Sequence, residues 1–202
     1  MGTLEVICGP MFSGKTEELI RRVTRAVIAR RKVQVFKPRV DSRYDPEAVV
    51  SHSRLRVVST LVDGAREVLE RLDPDVEVVG IDEVQFLGAE AVEVCRTLAE
   101  RGLRVIVAGL DQDYRGAPFE PMPQLLAEAE YVTKELAICV VCGAPAGRSQ
   151  RIVQAEDRVV MGAADAYEPR CRKCFSPEPR PPTAPAEQEM FPFLKPAGNR
   201  GT

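Results

Sequence analysis

The sequence predicts an α/β fold, a mostly parallel sheet flanked by helices, with a small C-terminal unit appended. Three observations predict it. Short apolar runs alternate with helical faces from Leu4 to Ile138, the pattern of parallel strands joined by crossover helices. A glycine-rich turn follows the first run and opens the first helix, as a P-loop does. From Cys139 the alternation stops, and short irregular pieces lie between two cysteine pairs.

Leu4 to Cys8 is apolar and ends at Gly9, a buried strand. Thr16 to Arg31 carries apolar residues at Leu19, Val23, Ala26 and Val27, one helical face. Val33, Val35 and Phe36 form a second strand that Pro38 stops. Residues 39–54 mix charges without a period and read as a mobile loop, and Val57 and Val58 begin a short strand. Ala65 to Leu72 reads as a helix, and Val76 to Ile81 as a strong strand. Ala89 to Arg101 is a helix with Val92, Cys95, Leu98 and Ala99 inward, closed by Gly102. Val105 to Ala108 is a strand, Met122 to Ala129 a helix, and Val132 to Ile138 a last strand.

This divides the chain into an α/β unit at 1–138, a small unit at 139–175 and a tail at 176–202. The tail is proline-rich without a periodic face and reads as largely disordered. A length of 202 residues suits one domain plus a small appendage. The net charge of -2 gives no global field toward nucleic acid or an anionic membrane. The first strand follows the initial Met too closely for a signal peptide. No apolar run reaches the roughly 18 residues of a membrane helix. A cytoplasmic protein is expected, bound to no membrane.

Gly9-Pro10-Met11-Phe12-Ser13-Gly14-Lys15-Thr16 matches G-x-x-x-x-G-K-S/T between a strand and a helix. The glycines let backbone N–H groups converge on phosphate oxygens at a helix N-terminus. Lys15 would meet the β- and γ-phosphates, and the Thr16 hydroxyl would ligate magnesium. Val78 to Ile81 then runs into Asp82 and Glu83, acids at the carboxyl end of a parallel strand. Asp82 would hold magnesium, and Glu83 would take a proton from an attacking hydroxyl. The acceptor stays open, because an ATPase uses the same residue to activate water.

Cys139-x2-Cys142 and Cys171-x2-Cys174 supply four thiolates, a full tetrahedral zinc set with no open position, hence structural. The 28 residues between the pairs exceed the usual ribbon spacing, so a long loop is clamped at its base. Cys8 and Cys95 sit singly in apolar segments and read as buried thiols. Arg43, in the loop after the second strand, is equally readable as a phosphate-reaching cation or a solvated side chain. His52 reads as an ordinary polar loop residue. Arg148, Arg151, Arg158, Arg170, Arg172 and Lys173 make the small unit basic, but it lacks an aromatic platform for nucleic acid.

The set resembles the type II thymidine kinases, the tetrameric family with a structural zinc. The matching pieces run in order through residues 1–175: GPMFSGKT, FKPRVDSRY, VSH at 50–52, IDEVQF, GLDQDYRGAPF, CVVCGAP and MGAADAYEPRCRKC. The resemblance implies transfer of the γ-phosphate of ATP to the 5′-hydroxyl of thymidine, also of deoxyuridine. It implies Glu83 as general base, Arg43 as the phosphate-contacting Arg of a flexible loop, and Asp41 as its neighbour. Met11, Phe86, Tyr114, Phe119 and Tyr167 are similar to the walls of the nucleoside pocket. The loop between the cysteine pairs resembles the family's lasso, closing over thymine near Val159, Gly162 and Tyr167. Ser149 stands where the family leads one to expect Thr near the thymine 5-methyl, and Tyr114 where Phe is common. Feedback by thymidine triphosphate and a homotetramer complete what the resemblance implies, with no nucleic acid among the partners. Two rivals remain: a P-loop ATPase whose zinc ribbon grips nucleic acid or a protein, and a non-catalytic nucleotide-binding regulator. Intact Lys15, Asp82 and Glu83 speak against the latter.

Overall fold

The computed structural model of the chain describes residues 2–39, 48–50, 56–154 and 166–182. Six strands form one sheet: β1 (Thr3–Gly9), β2 (Val33–Pro38), β5 (Thr60–Val62), β6 (Val78–Ile81), β7 (Arg104–Leu110) and β8 (Tyr131–Lys134). Their order is β5-β2-β6-β7-β1-β8, and every pairing is parallel. The α/β fold with a mostly parallel sheet is therefore present. Two separate strands, β3 (Ala48–Val50) and β4 (Arg56–Val58), pair antiparallel.

Strand alternation sorts the core into two layers. Val6, Val79, Ile81, Val105 and Val107 face the helices α2 (Arg66–Glu70), α3 (Glu90–Glu100) and α4 (Met122–Glu128). Ile7, Val35, Val78, Ile106 and Ala108 face α1 (Lys15–Ile28). Cys8 and Cys95 are buried, as expected of apolar thiols. Burial and the nearby Asp111 push the Cys8 thiol up to about 11, and burial pushes Cys95 up to about 12.

Several expectations shift. The mobile loop 39–54 contains β3, whose ladder to β4 supplies backbone partners that a lone segment lacks. β5 is only three residues long, too short for a periodic signal. α1 ends at Ile28, three residues early, because Arg30 turns left-handed at φ 61°. The inward residues of α1 include Ile20, whereas Val27 is exposed, so the face is rotated from the expected one. The strand expected from Val132 to Ile138 is two. β8 stops at Lys134, and β9 (Ala137–Ile138) leaves the sheet to pair with β10 (Pro145–Ala146).

The small unit adds β11 (Arg148–Arg151) and β12 (Tyr167–Arg170), paired antiparallel. Residues 176–180, read from composition as the start of the tail, lie against β11. The Ser176 amide donates to Gln150 Oε1 at 2.8 Å, and Arg180 N to the Arg151 carbonyl at 3.1 Å. The buried Gln150 amide is what fastens this stretch, a partner that composition does not reveal. The rest of the tail, from 183, lies outside the described residues.

Gly80 sets how closely α1 sits on the sheet. A Cβ there would meet Val23 at 3.2 Å, Val35 at 3.3 Å and Leu19 at 3.5 Å. Gly80→Val is expected to overpack this layer, at a cost of about 1–3 kcal/mol. Thermal denaturation should register it as a fall of about 2–4 °C in Tm for each kcal/mol.

Candidate active site

β1, β6 and β7 end together at the carboxyl edge of the sheet, and the loop from β1 to α1 lies over that edge. Gly9 begins the loop at φ 146°, and a Cβ on it would fall 2.3 Å from the Glu135 carbonyl oxygen. Phe12 and Gly14 are left-handed, at φ 64° and 86°. Alternating left- and right-handed residues turn successive N–H groups to one side, the concave nest that takes anions. The Ser13 hydroxyl and the Lys15 ammonium both donate to the Pro10 carbonyl, at 2.9 Å and 2.7 Å. Lys15 is thereby held, largely buried, across the loop.

Thr16, in the first turn of α1, donates to Asp82 at 3.2 Å to Oδ2. Asp82 follows β6, which is separated from β1 by β7. The acid therefore reaches the loop across an intervening strand and not from a neighbouring one. Asp82 is buried and Glu83, next in the chain, half-buried. Glu83 stands at φ 49°, ψ 41°, left-handed backbone that a residue with a Cβ adopts at a cost. A hydroxyl and a carboxylate at this separation suit a magnesium ion held by oxygen ligands.

The expected pocket walls form two groups. Phe86 and Phe119 meet edge to face, centroids 6.1 Å apart and planes at 88°. Tyr114, Ala166 and Tyr167 form a second cluster, with Met11, Phe12 and Val153 packed against it. Arg151, which sequence analysis counted only as a basic residue, joins the two tyrosines. It is wholly buried, with its guanidinium 3.5 Å from the Tyr114 ring centroid and Nη2 donating to the Tyr167 hydroxyl at 2.9 Å. Arg115 Nε donates to the Tyr114 hydroxyl at 2.8 Å. Nothing in the local sequence marked Arg151, because its partners lie on other strands and loops. Asp41, Arg43, Val159 and Gly162 lie outside the described residues, as do Tyr44, His52 and Arg158.

The four cysteines come together. Cys142 Sγ lies 3.6 Å from Cys171 Sγ and 3.7 Å from Cys174 Sγ, and all four sulfurs lie within 4.8 Å of one another. A tetrahedral zinc with bonds of about 2.3 Å requires sulfurs about 3.8 Å apart. The donor set fits that ion. Burial pushes the Cys139 thiol up, but the backbone amides of Cys171, Val141 and Cys142 outweigh it and bring it to about 6. The Cys174 amide likewise lowers Cys171. Of the basic residues in this unit, Arg151 and Arg170 are buried, and only Arg172 and Lys173 are exposed among those described.

A family model described as Thymidine kinase matches residues 2–175. The chain belongs to the thymidine kinase family. A Thymidine kinase of Rhodothermus sp. (strain ITI 518) is 62% identical over 181 residues, 90% of this chain and 84% of that protein. One from Bdellovibrio bacteriovorus (strain ATCC 15356 / DSM 50701 / NCIMB 9529 / HD100) is 56% identical over 182 residues, 90% and 89% of the two chains. Among solved structures, domain III of the Thermotoga maritima replication initiation protein DnaA reaches a TM-score of only 0.41 at 19% identity, over 65% of this chain and 54% of that one, too slight a likeness to bear on function.

In this member of the thymidine kinase family the segment after Cys139 packs against the loop after β1. Phe12 packs both on the Tyr114–Tyr167 cluster and on the small core of Ala137, Cys139, Ala146 and Cys171. Ser149, expected beside the thymine 5-methyl, accepts the Met11 amide at 3.0 Å and is buried. Its hydroxyl thus ties β11 to the phosphate loop. Ser149→Ala should leave that amide without its acceptor and cost about 1–3 kcal/mol. Urea denaturation should show the loss as a lower midpoint at unchanged m-value.

Proposed function

We propose that this protein transfers the γ-phosphoryl group of ATP to the 5′-hydroxyl of thymidine, and more slowly of deoxyuridine, in nucleotide salvage for DNA synthesis. One observation carries the reading: Thr16 and Asp82 meet at 3.2 Å beneath the loop that holds Lys15, and half-buried Glu83 follows directly. In this reading the loop amides and Lys15 hold the donor phosphates. Thr16 and Asp82 would hold Mg2+, whose charge offsets the negative charge shared by the phosphates. Glu83 accepts the 5′-hydroxyl proton as that oxygen attacks. Arg43 supplies charge over the transferred group.

The acceptor pocket is proposed between Met11, Phe86, Tyr114, Phe119 and Tyr167, and the family reading adds Asp41, the neighbour of Arg43, to the residues that bind substrate. Main-chain groups near Val159 and Gly162 would read the thymine edge. Thymine offers two carbonyl acceptors and one N–H donor there, whereas cytosine puts an amino donor in place of one acceptor. Each buried donor facing a donor costs about 1–3 kcal/mol. A closing lasso would exclude water and so limit ATP hydrolysis. A homotetramer, feedback by thymidine triphosphate and a cytoplasmic site follow from the same family reading. The free thiols suit a reducing compartment. Among the described residues no helix is long and apolar enough to cross a membrane.

The deciding experiment offers labelled ATP and Mg2+ to a nucleoside panel. Thymidine should give the highest kcat/KM, deoxyuridine the next, deoxycytidine little and purine nucleosides none. Glu83→Gln should lower kcat by about 100- to 10,000-fold and leave ATP binding intact. ATP hydrolysis that polynucleotide stimulates and nucleosides ignore would overturn the assignment.

The second test concerns the metal. Freshly reduced protein should carry one Zn2+ per chain through Cys139, Cys142, Cys171 and Cys174. Cys142→Ser should lose the ion and raise the KM for thymidine far more than that for ATP. Elemental analysis that finds no zinc would remove the structural metal from this reading.

A further inference from the structure

We infer that Gln85 is a positioning residue that fixes where the Glu83 carboxylate points. The inference rests on the reading of Glu83 as the base, and it adds a second residue to that step. Gln85 is buried, although its neighbours Glu83 and Phe86 are half-buried. Its Nε2 donates to Glu83 Oε2 at 2.5 Å, and its Oε1 accepts the Leu110 amide at 3.1 Å. The second bond decides the orientation of the first. A backbone N–H can only donate, so the oxygen of the Gln85 amide must face Leu110, and the NH2 group must face Glu83.

Leu110 is no arbitrary anchor. It ends β7 and stands in register with Gly9 of β1, the residue that opens the phosphate loop. The chain of contacts runs from the loop's first residue across one ladder step to Leu110, through the Gln85 amide, and onto the carboxylate. The base and the donor phosphates are thereby referred to the same strand end. Space is kept for this link. A Cβ at Gly109 would lie 2.7 Å from Gln85 Oε1 and 2.8 Å from the Met122 sulfur. The backbone of Glu83 is already constrained in the left-handed region. With χ angles free, its half-exposed side chain would still swing, and Gln85 removes that freedom. A general base must lie within hydrogen-bond reach of its proton, and a displacement of about 1 Å costs up to roughly 100-fold in rate.

The alternative role is local: Gln85 only satisfies the buried Leu110 amide. Gln85→Glu separates the two. It keeps length, volume and the acceptor for Leu110, and puts opposite Glu83 a carboxyl that repels it or shares a proton with it, so the pH profile of kcat should move as well, which loss of the Leu110 partner alone would not cause. Steady-state kinetics with thymidine and ATP should show kcat lowered by tenfold or more, with both KM values unchanged. Gln85→Met, an unbranched apolar side chain of similar size, removes the bonds to Glu83 and to Leu110 together and should lower kcat at least as far. Both are to be checked for an intact thermal transition. In a Glu83→Gln background, Gln85→Glu should lower kcat no further, because the group it positions is gone. Wild-type kcat in Gln85→Glu and Gln85→Met would overturn the inference while leaving Glu83 as the base. An equal loss of kcat in both backgrounds would overturn it too, since Gln85 would then act elsewhere. Wild-type kcat in Glu83→Gln alone would remove the base itself, a failure that is read separately from the other two.

Discussion

The turn from β1 into α1 is the constraint on which the rest of this structure depends. The chain must leave a buried parallel strand, curl through left-handed residues and enter a helix within a few positions. Gly9 permits this only because it lacks a Cβ, which would collide with the Glu135 carbonyl. That carbonyl belongs to the residue just past β8, so the edge of the sheet and the start of the loop are pressed together. The Pro10 carbonyl then collects donors from Ser13 and Lys15. The loop is thus closed on itself, and Ser149 and the two clusters that receive Phe12 brace it from outside. It therefore serves as the fixed reference for the groups that converge on it.

Those groups come from distant parts of the chain, which explains what could be read in advance. Lys15 and Thr16 were legible because glycines, lysine and hydroxyl occur at fixed offsets along one turn. Asp82 was legible because an apolar strand ends on it. The four cysteines were legible from spacing alone. The links made by Gln85 and Arg151 were not, nor was the bond of Ser149 to Met11, although the family resemblance names Ser149 itself, because each acts across the fold. Ser149 reaches Met11 from 138 positions away, and Gln85 reaches Leu110 from 25. No local period encodes such contacts. Short elements escaped for a different reason. β5 and β10 have three and two residues, and strands of that length carry too few alternations to be told from loop.

The segment that follows Cys139 packs against the loop after β1 and does not stand apart from it. Its core borrows Phe12 from the phosphate loop, and its strand β11 supplies Ser149, Gln150 and Arg151, all buried. The three point to different tasks. Ser149 meets the loop, Gln150 fastens the stretch after Ser176, and Arg151 sits between two tyrosines. A buried guanidinium is costly to desolvate, and aromatic faces together with a hydroxyl acceptor offset part of that cost. Such a centre resists repacking, because an apolar substitute would abandon a hydroxyl partner and an aromatic face at once.

The backbone of Glu83 sets stability against turnover. A left-handed conformation costs a residue with a Cβ about 1–2 kcal/mol. Glycine or asparagine would hold the same torsions with less strain, but neither carries a carboxylate. On the proposal that Glu83 is the base, selection for a more stable fold and selection for a faster enzyme pull this one position in opposite directions. A variant relaxed at this position would ease the backbone and give up the carboxylate, and with it the bond that buried Gln85 donates, so part of what the torsions return is lost again in an unpaired amide.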